Sequence, residues 1–192
     1  GSCTVRASAA TTLNYAAGSI DSVFIISATV LSNAATPTVT ATVGVLKSFG
    51  VTWISITNAT SYTLKIYNAA GSALLETVAA LSGTSKTITA SEFAAIADAT
   101  AYQISITAIG SGNYASSSES TKATVTTASL FTLTYSYNGA TSGNGTASNS
   151  FITGATAINL PTPSRAGYSL EGWYEATDLS GTKLDATYSP TQ

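Results

Sequence analysis

Carboxylates are the residues of this sequence best suited to acid–base chemistry. The sequence has no histidine, which removes the commonest general base, the usual base of a serine triad and the usual zinc ligand. A glycosidase would need two carboxylates that face each other about 5–9.5 Å apart. Strand alternation instead leaves most carboxylates of this chain at turns or on solvent faces. The nine are Asp21, Glu76, Glu92, Asp98, Glu119, Glu171, Glu175, Asp178 and Asp185. We therefore predict no catalytic residues and a chain that is not an enzyme.

Three further patterns lack the partners that their chemistry would need. Cys3 is the only cysteine, so it cannot form an internal disulfide, and no histidine is present to activate it. Asp178 and Asp185 flank a loop but lack the regular spacing of a calcium-binding loop. The run Gly143-Asn144-Gly145 precedes no helix, so it is typical of a turn rather than of a phosphate-binding loop. The sequence predicts no metal site and no cofactor.

Low charge limits the partners that this chain can have. Charged residues make up 8% of the sequence and the net charge is −2, against about 25% charged residues in an average domain. No basic stripe is present, so nucleic acid is not an expected partner. No apolar run reaches the ~18 residues of a membrane span. Thr, Val, Ile and Tyr are plentiful and favour strands, which predicts a mainly all-β chain.

Two parts of the sequence repeat at a fixed offset. Asn14-Tyr15-Ala16 recurs as Asn113-Tyr114-Ala115, an offset of 113 − 14 = 99. At this offset the apolar–polar alternation of residues 5–9 matches that of residues 104–108. The spacing suits one β-sandwich module of about 100 residues. We therefore predict that residues 1–35 form an N-terminal β-hairpin, the terminal hairpin of a preceding repeat.

Residues 36–128 have the pattern of a complete sandwich. Short alternating segments separated by turn residues are typical of a two-sheet β-sandwich. The seven segments are 38–43, 48–54, 61–67, 73–78, 85–90, 102–108 and 121–127.

Within this region, Val51-Thr52-Trp53 and the stretches 59–67 and 100–108 resemble the fibronectin type III module. The resemblance implies that Trp53, Tyr62 and Tyr102 are structural core residues, with Tyr102 forming the tyrosine corner of that family.

Residues 129–192 follow a second pattern. The alternating segment 131–137 ends at Asn138-Gly139, Leu160-Pro161 and Pro163 follow, and the segment 166–174 reads Ala-Gly-Tyr-Ser-Leu-Glu-Gly-Trp-Tyr. Together these resemble the Listeria–Bacteroides repeat, a small β-grasp-like module of bacterial surface proteins. The family closes with a further strand whose pattern is absent before Gln192, so we expect the final strand to be missing.

The same resemblance assigns roles to three aromatic residues of this module. The fixed places of Tyr168 and Trp173 in the family pattern imply core packing. Tyr174 lies on the opposite face by alternation, which makes it the candidate ligand-facing aromatic.

These patterns favour a non-catalytic structural or adhesive repeat segment, a stalk or spacer, in a bacterial secreted or cell-surface protein. Its expected partners are neighbouring repeats of the same protein and a cell-surface glycan or protein. Unpaired strand edges would also allow self-association by strand addition, with residues 3–30 covering an edge of a neighbour. The alternative function is a carbohydrate-binding accessory segment of a secreted glycan-processing enzyme.

Overall fold

A computed structural model describes residues 2–9, 18–25, 27–140, 148–176, 178–184 and 186–188, with only the backbone described for 2–9 and 18–25. Every regular element in these ranges is a strand, which confirms the predicted all-β fold. The strands are β1 (Ser2–Ala9), β2 (Gly18–Ile25), β3 (Thr29–Val30), β4 (Thr38–Ala41), β5 (Phe49–Thr52), β6 (Ser61–Tyr67), β7 (Leu74–Leu81), β8 (Ser85–Ile88), β9 (Ala101–Ile109), β10 (Tyr114–Ala115), β11 (Ala123–Thr126), β12 (Leu130–Thr134), β13 (Ser148–Ile152), β14 (Ile158–Asn159), β15 (Trp173–Tyr174), β16 (Lys183–Leu184) and β17 (Thr187–Tyr188).

Two sheets face each other in the central part of the chain. A four-stranded sheet has the order β11-β9-β6-β7 and a three-stranded sheet has the order β4-β5-β8. Alternation sends Tyr62, Leu64 and Ile66 inward from β6, while the residues between them stay only partly buried. The fully buried side chains of both sheets meet in one core. This arrangement confirms the prediction of a two-sheet β-sandwich.

The sandwich begins earlier than residue 36. Leu31 and Ala34, which the sequence assigned to the preceding hairpin, are buried in the sandwich core. β3 pairs in parallel with β10 just before them. The boundary therefore lies before Thr29. This boundary could not be predicted from the sequence because only two apolar residues in this polar stretch reach the core.

At its turn end, the N-terminal hairpin matches the backbone of β9 and the segment that follows β9. Adding the offset to β1 gives 101–108 (2 + 99 and 9 + 99), which falls within β9. The hairpin pair Ala9↔Gly18 then maps onto Ala108 and Ser117, and the Ser117 N–H donates to the Ala108 carbonyl at 2.9 Å. Residues 14–16, in which the repeat is most obvious, lie outside the described residues. That the hairpin ends a preceding repeat stays a prediction.

The C-terminal part consists of small sheets. β12 pairs with β13, β14 with β17 and β15 with β16, all antiparallel. After β12, Asn138 and Gly139 both have positive φ, 46° and 80°, as the two central residues of a type I′ turn require. Residues 189–192, on which the prediction of a missing closing strand depends, lie outside the described residues. No helix in the described ranges is long and apolar enough to span a membrane.

Candidate functional site

A groove of about 620 Å³ lies in the C-terminal part of the described chain. The segment that follows β12 forms one wall, and β15 with the segment before it forms the other. Its aromatic lining residues are Tyr135, Tyr137, Tyr168, Trp173, Tyr174 and Tyr188. Aromatic rings with a few polar groups among them are typical of a site for a small ligand.

Trp173 is the centre of the aromatic cluster. Its ring centroid lies 5.2 Å from that of Tyr135 and 5.5 Å from that of Tyr137, the latter in an edge-on arrangement. The indole N–H donates to the Pro161 carbonyl at 2.8 Å. Tilted and edge-on ring pairs at such distances are the favourable geometries. Trp173 is partly buried and held from three sides, so its ring is a wall of the groove with a fixed orientation.

Tyr135 brings a buried hydroxyl to this groove. The residue is 8% exposed, and within the described chain its hydroxyl has no hydrogen-bond partner. Burial raises the pKa of Tyr135 and the neighbouring Tyr137 raises it further, while the Asn149 side chain lowers it. A buried hydroxyl that lacks a partner is costly to the folded state.

The structure places Tyr168 on the surface instead of in the core, whereas Tyr174 lines the groove and its ligand-facing role stays a prediction. Tyr168, expected in the core, is 68% exposed, and the Arg165 guanidinium lies 4.3 Å from its ring centroid. Tyr174, expected to face a ligand, is half-buried, and its hydroxyl donates to Glu171 at 3.0 Å. The reason is local: Tyr168 forms an isolated bridge with Arg165 across a tight turn, so strand alternation does not extend from Trp173 back to it.

Carboxylates at the rim of the groove each accept a hydrogen bond from a tyrosine. The Tyr174 hydroxyl binds Glu171, and the Tyr188 hydroxyl donates to Glu175 at 2.6 Å. The hydrogen bond to the carboxylate raises the pKa of Tyr174 and likewise that of Tyr188. Both pairs keep their phenols protonated, which suits hydrogen bonding and gives neither phenol the character of a nucleophile.

The comparisons with known proteins identify this part of the chain. A model of the Listeria-Bacteroides repeat domain matches residues 131–192. This segment is similar to that repeat. The repeat occurs in bacterial surface proteins, and the sequence-based prediction of it is confirmed.

Two other comparisons were made. No curated protein matches the chain significantly. Among solved structures, an Fn3-like protein from Clostridium thermocellum is 18% identical with a TM-score of 0.38, and the match covers 50% of this chain and 90% of that one.

In the sandwich that precedes the repeat, the three aromatic residues singled out from the sequence lie inside. Trp53 and Tyr62 contact each other edge-on with their centroids 5.6 Å apart, and the Tyr62 hydroxyl accepts the Ile56 N–H at 2.7 Å. The Tyr102 hydroxyl accepts the Ala97 N–H at 2.9 Å. Each tyrosine therefore ties a loop amide to the core, which is a structural role.

A polar cluster on the outer face of the four-stranded sheet escaped the sequence analysis. The Glu119 carboxylate accepts from the Lys65 ammonium at 2.8 Å, from the Tyr67 hydroxyl at 2.6 Å and from the Ser105 hydroxyl at 2.7 Å. Alternation does place Lys65 and Tyr67 on one face of β6. Glu119 lies in an irregular segment between strands, and no periodicity could bring it there.

The described residues contain no group of three or more metal-ligating side chains. Asp178 accepts hydrogen bonds from the amide and hydroxyl of Ser180, and these hydrogen bonds lower its pKa. Asp185, its partner in the ion-binding pattern considered above, lies outside the described residues.

The junction between the sandwich and the repeat is short and hydrogen-bonded on both sides. Only residues 127–129 separate β11 from β12. The Thr127 hydroxyl, in a residue 2% exposed, donates to the Ala97 carbonyl at 2.7 Å and accepts the Thr100 N–H at 3.0 Å. On the other side, the Thr153 N–H donates to the Ser129 carbonyl at 3.0 Å. Small polar residues of this kind are typical of a flexible linker in a sequence, but here they are bonded to both modules.

The two modules also touch beside the junction. The turn after β13 lies against the loop after β4: a β-carbon added at Gly154 would come within 3.3 Å of the Val43 side chain, and one added at Gly44 within 3.7 Å of Ala155. Contact at a second place restricts rotation about the junction.

Proposed function

We propose that this chain is a non-catalytic structural segment of a bacterial secreted or cell-surface protein, in which the sandwich and the repeat are joined as one stiff spacer. The observation that carries the proposal is the junction at residues 127–129, where hydrogen bonds to both modules replace a free linker. Inter-domain motion is the default for chains with exposed, flexible linkers. A buried junction restricts motion between the sandwich and the repeat, and so fixes the distance between the far ends of the two modules.

Composition supports the same role. With 8% charged residues and an abundance of Ser and Thr, the surface is hydrated by uncharged groups. The similarity of residues 131–192 to a repeat of bacterial surface proteins is the further support for an extracellular place and for neighbouring repeats as partners. In this view the segment positions other parts of its parent protein away from the envelope.

The stiffness can be measured by backbone ¹⁵N relaxation. We expect the sandwich and the repeat to share one rotational correlation time in the unaltered chain. Inserting Gly-Ser-Gly-Ser after Ala128 should separate the two values, the smaller repeat becoming faster, because the hydrogen bonds of Thr127 and Ser129 can no longer act together. The same insertion after Ser111, in an exposed loop, is the matched control and should leave one common value. Independent tumbling of the modules in the unaltered chain would contradict the proposal.

A second candidate function, carbohydrate binding, is favoured by one observation. The exposed ring of Tyr168 stands at the rim of the groove with Arg165 against one face. A free aromatic face beside hydrogen-bonding groups suits the apolar face of a sugar ring.

A glycan array tests this candidate. If the groove binds sugar, Tyr168→Ala should abolish the signal, since stacking on the ring is lost. Tyr114→Ala, at a tyrosine of the sandwich that is 37% exposed, should leave it unchanged. An array without any signal, or equal signals from the two variants, eliminates the sugar-binding role and leaves the spacer role untouched.

A further inference from the structure

The net negative charge of the chain belongs to its C-terminal part. Residues 1–128 contain five basic and five acidic residues, which balance (5 − 5 = 0), whereas residues 129–192 contain two basic and four acidic ones (2 − 4 = −2). The four acidic residues of the second part are Glu171, Glu175, Asp178 and Asp185. An excess of one sign of charge raises the local concentration of ligands of the opposite sign. The repeat is therefore the part of the chain that attracts a cation.

Two of these carboxylates line the groove of the repeat. They are Glu171 and Glu175, and among the described lining residues Arg165 is the single basic one. The Arg165 guanidinium already has contacts of its own: it lies over the Tyr168 ring, and it donates to the Asn138 carbonyl at 3.4 Å. A cation that enters the groove thus meets an excess of negative charge.

Hydrogen bonds hold both carboxylates in place without using their full capacity. The Tyr174 hydroxyl donates to Glu171 at 3.0 Å and the Tyr188 hydroxyl to Glu175 at 2.6 Å. A carboxylate has about four acceptor positions, and its charge acts on a ligand whether or not a phenol is bonded to it. Each pair therefore places a fixed negative charge beside an aromatic ring.

Aromatic rings supply a second attraction to a cation. Tyr135, Tyr137 and Trp173 form one packed group, in which the centroids of the two tyrosine rings are 6.3 Å apart. The face of an aromatic ring carries negative potential and attracts a cation that lies within about 6 Å of its centroid, tryptophan most strongly. Arg165 over Tyr168, at 4.3 Å, is an example from the same groove.

Rings and carboxylates together favour a quaternary ammonium group as the cation. Such a group donates no hydrogen bonds and is weakly hydrated, so it leaves water for an aromatic surface at a smaller cost than a primary ammonium does. Aromatic residues are the usual means by which proteins recognise it. The groove volume of about 620 Å³ lies within the range of about 300–1,000 Å³ that is typical of small-molecule sites.

We propose that the groove binds a small organic cation that carries a quaternary ammonium group, such as choline. Trp173 and the tyrosines around it contact the methyl groups, and Glu171 and Glu175 balance the charge. This site goes beyond the spacer function and does not depend on it. Choline binding reports on the groove, whereas the relaxation experiment reports on the junction, so the two proposals can fail separately.

Titration of the full chain with choline chloride, followed by ¹H–¹⁵N NMR, tests the proposal. The chain has two tryptophans, Trp173 in the groove and Trp53 in the sandwich core, so one indole N–H signal is the reporter and the other is the reference. We expect the Trp173 signal to shift to saturation and the Trp53 signal to stay in place. The uncharged isostere 3,3-dimethylbutan-1-ol, in which carbon replaces the nitrogen of choline, should bind about tenfold more weakly.

Two double variants show whether the charge of the groove is the cause. Glu171→Gln with Glu175→Gln keeps an acceptor for each tyrosine hydroxyl but removes both charges, and should weaken choline binding by about fivefold. Glu76→Gln with Asp98→Asn removes two charges from the sandwich instead and should leave the affinity unchanged. Indole signals at their usual positions before choline is added establish that each variant is folded.

The same measurements can overturn the proposal. It fails if choline shifts neither indole signal or shifts both equally, if the uncharged isostere binds as tightly as choline, or if the groove double variant keeps the affinity of the unaltered chain. Once choline binds, sedimentation with phosphatidylcholine vesicles separates two sources of the ligand. A lipid headgroup would carry the protein into the pellet, and free or polymer-bound choline would leave it in solution.

Discussion

Replacing Phe49 with alanine is expected to lower the free energy of unfolding of the sandwich by about 3–5 kcal/mol. Phe49 is fully buried, lies on the central strand β5 between Ala41 and Ile88, and stacks on Tyr102 with centroids 6.1 Å apart. Both sheets close over the ring, so the cavity left by the truncation has no flexible wall to fill it. Guanidinium-induced unfolding followed by circular dichroism would measure the loss.

Ile54→Ala is the matched control for this truncation. Ile54 is 70% exposed, and surface substitutions away from special features change stability by about 0.5 kcal/mol or less. A loss below about 1 kcal/mol for Phe49→Ala would contradict the packing described for the core. Equal losses for the two variants would do so as well.

The second large effect concerns acid and Glu119. Burial of Glu119 acts to raise its pKa, but hydrogen bonds from Lys65, Tyr67 and Ser105 outweigh burial and hold the pKa at about 2, against an ordinary 4.5. A carboxylate with a depressed pKa stabilises the folded state fully above its unfolded pKa and loses that contribution as the pH falls through the folded one. The sandwich should therefore lose stability between about pH 4.5 and pH 2.

Glu119→Gln is expected to remove that part of the pH dependence. The Glu119 side chain is 28% exposed and that of Lys65 is 33% exposed. Solvent screening therefore limits the contribution of the Glu119 charge to the free energy of unfolding to about 1–2 kcal/mol. Glu92, whose pKa is also about 2 because of hydrogen bonds from Thr89 and then Lys86, is present in both proteins and cancels in the difference. Unfolding curves from pH 7 to pH 2 would show the two proteins converging in acid.

Glu76→Gln is the control for the acid experiment, since among the described residues Glu76 forms no ion pair and accepts a hydrogen bond from the amide of Thr77. The free energy of unfolding of the Glu76→Gln protein should follow that of the unaltered protein throughout the pH range. A constant difference between Glu119→Gln and the unaltered protein at every pH would contradict the role given to the carboxylate charge.

Much of the sandwich was predictable because period-two alternation is a local property. All seven predicted segments overlap an observed strand, and Trp53, Tyr62 and Tyr102 lie inside. The alternation failed where strands are short. β15 has only two residues, so the faces assigned around Trp173 could not be extended to Tyr168.

Features that depend on contacts between distant segments were beyond the sequence. Glu119 meets Lys65 across 54 residues, and Thr127 bonds Ala97 across 30. From the sequence alone, Ser, Thr and Glu in irregular segments that are solvated cannot be told from those that are hydrogen-bonded to a distant residue. For the groove, the family pattern singled out Tyr168, Trp173 and Tyr174 and missed the other three aromatic lining residues. The direction of each ring depended on turns whose geometry is not encoded in spacing.

The parallel pairing of β3 with β10 has a mechanical consequence. The Thr29 N–H donates to Asn113 at 2.8 Å and the Leu31 N–H to Ala115 at 3.0 Å, while Leu31 is anchored in the core. Tension applied to the chain before Thr29 acts along the axis of β3. Both hydrogen bonds and the buried leucine then carry the load together, in shear, instead of opening one after another as in a zipper. The entry to the sandwich is thus built to resist extension, and its rupture rate sets how long the module stays folded under force.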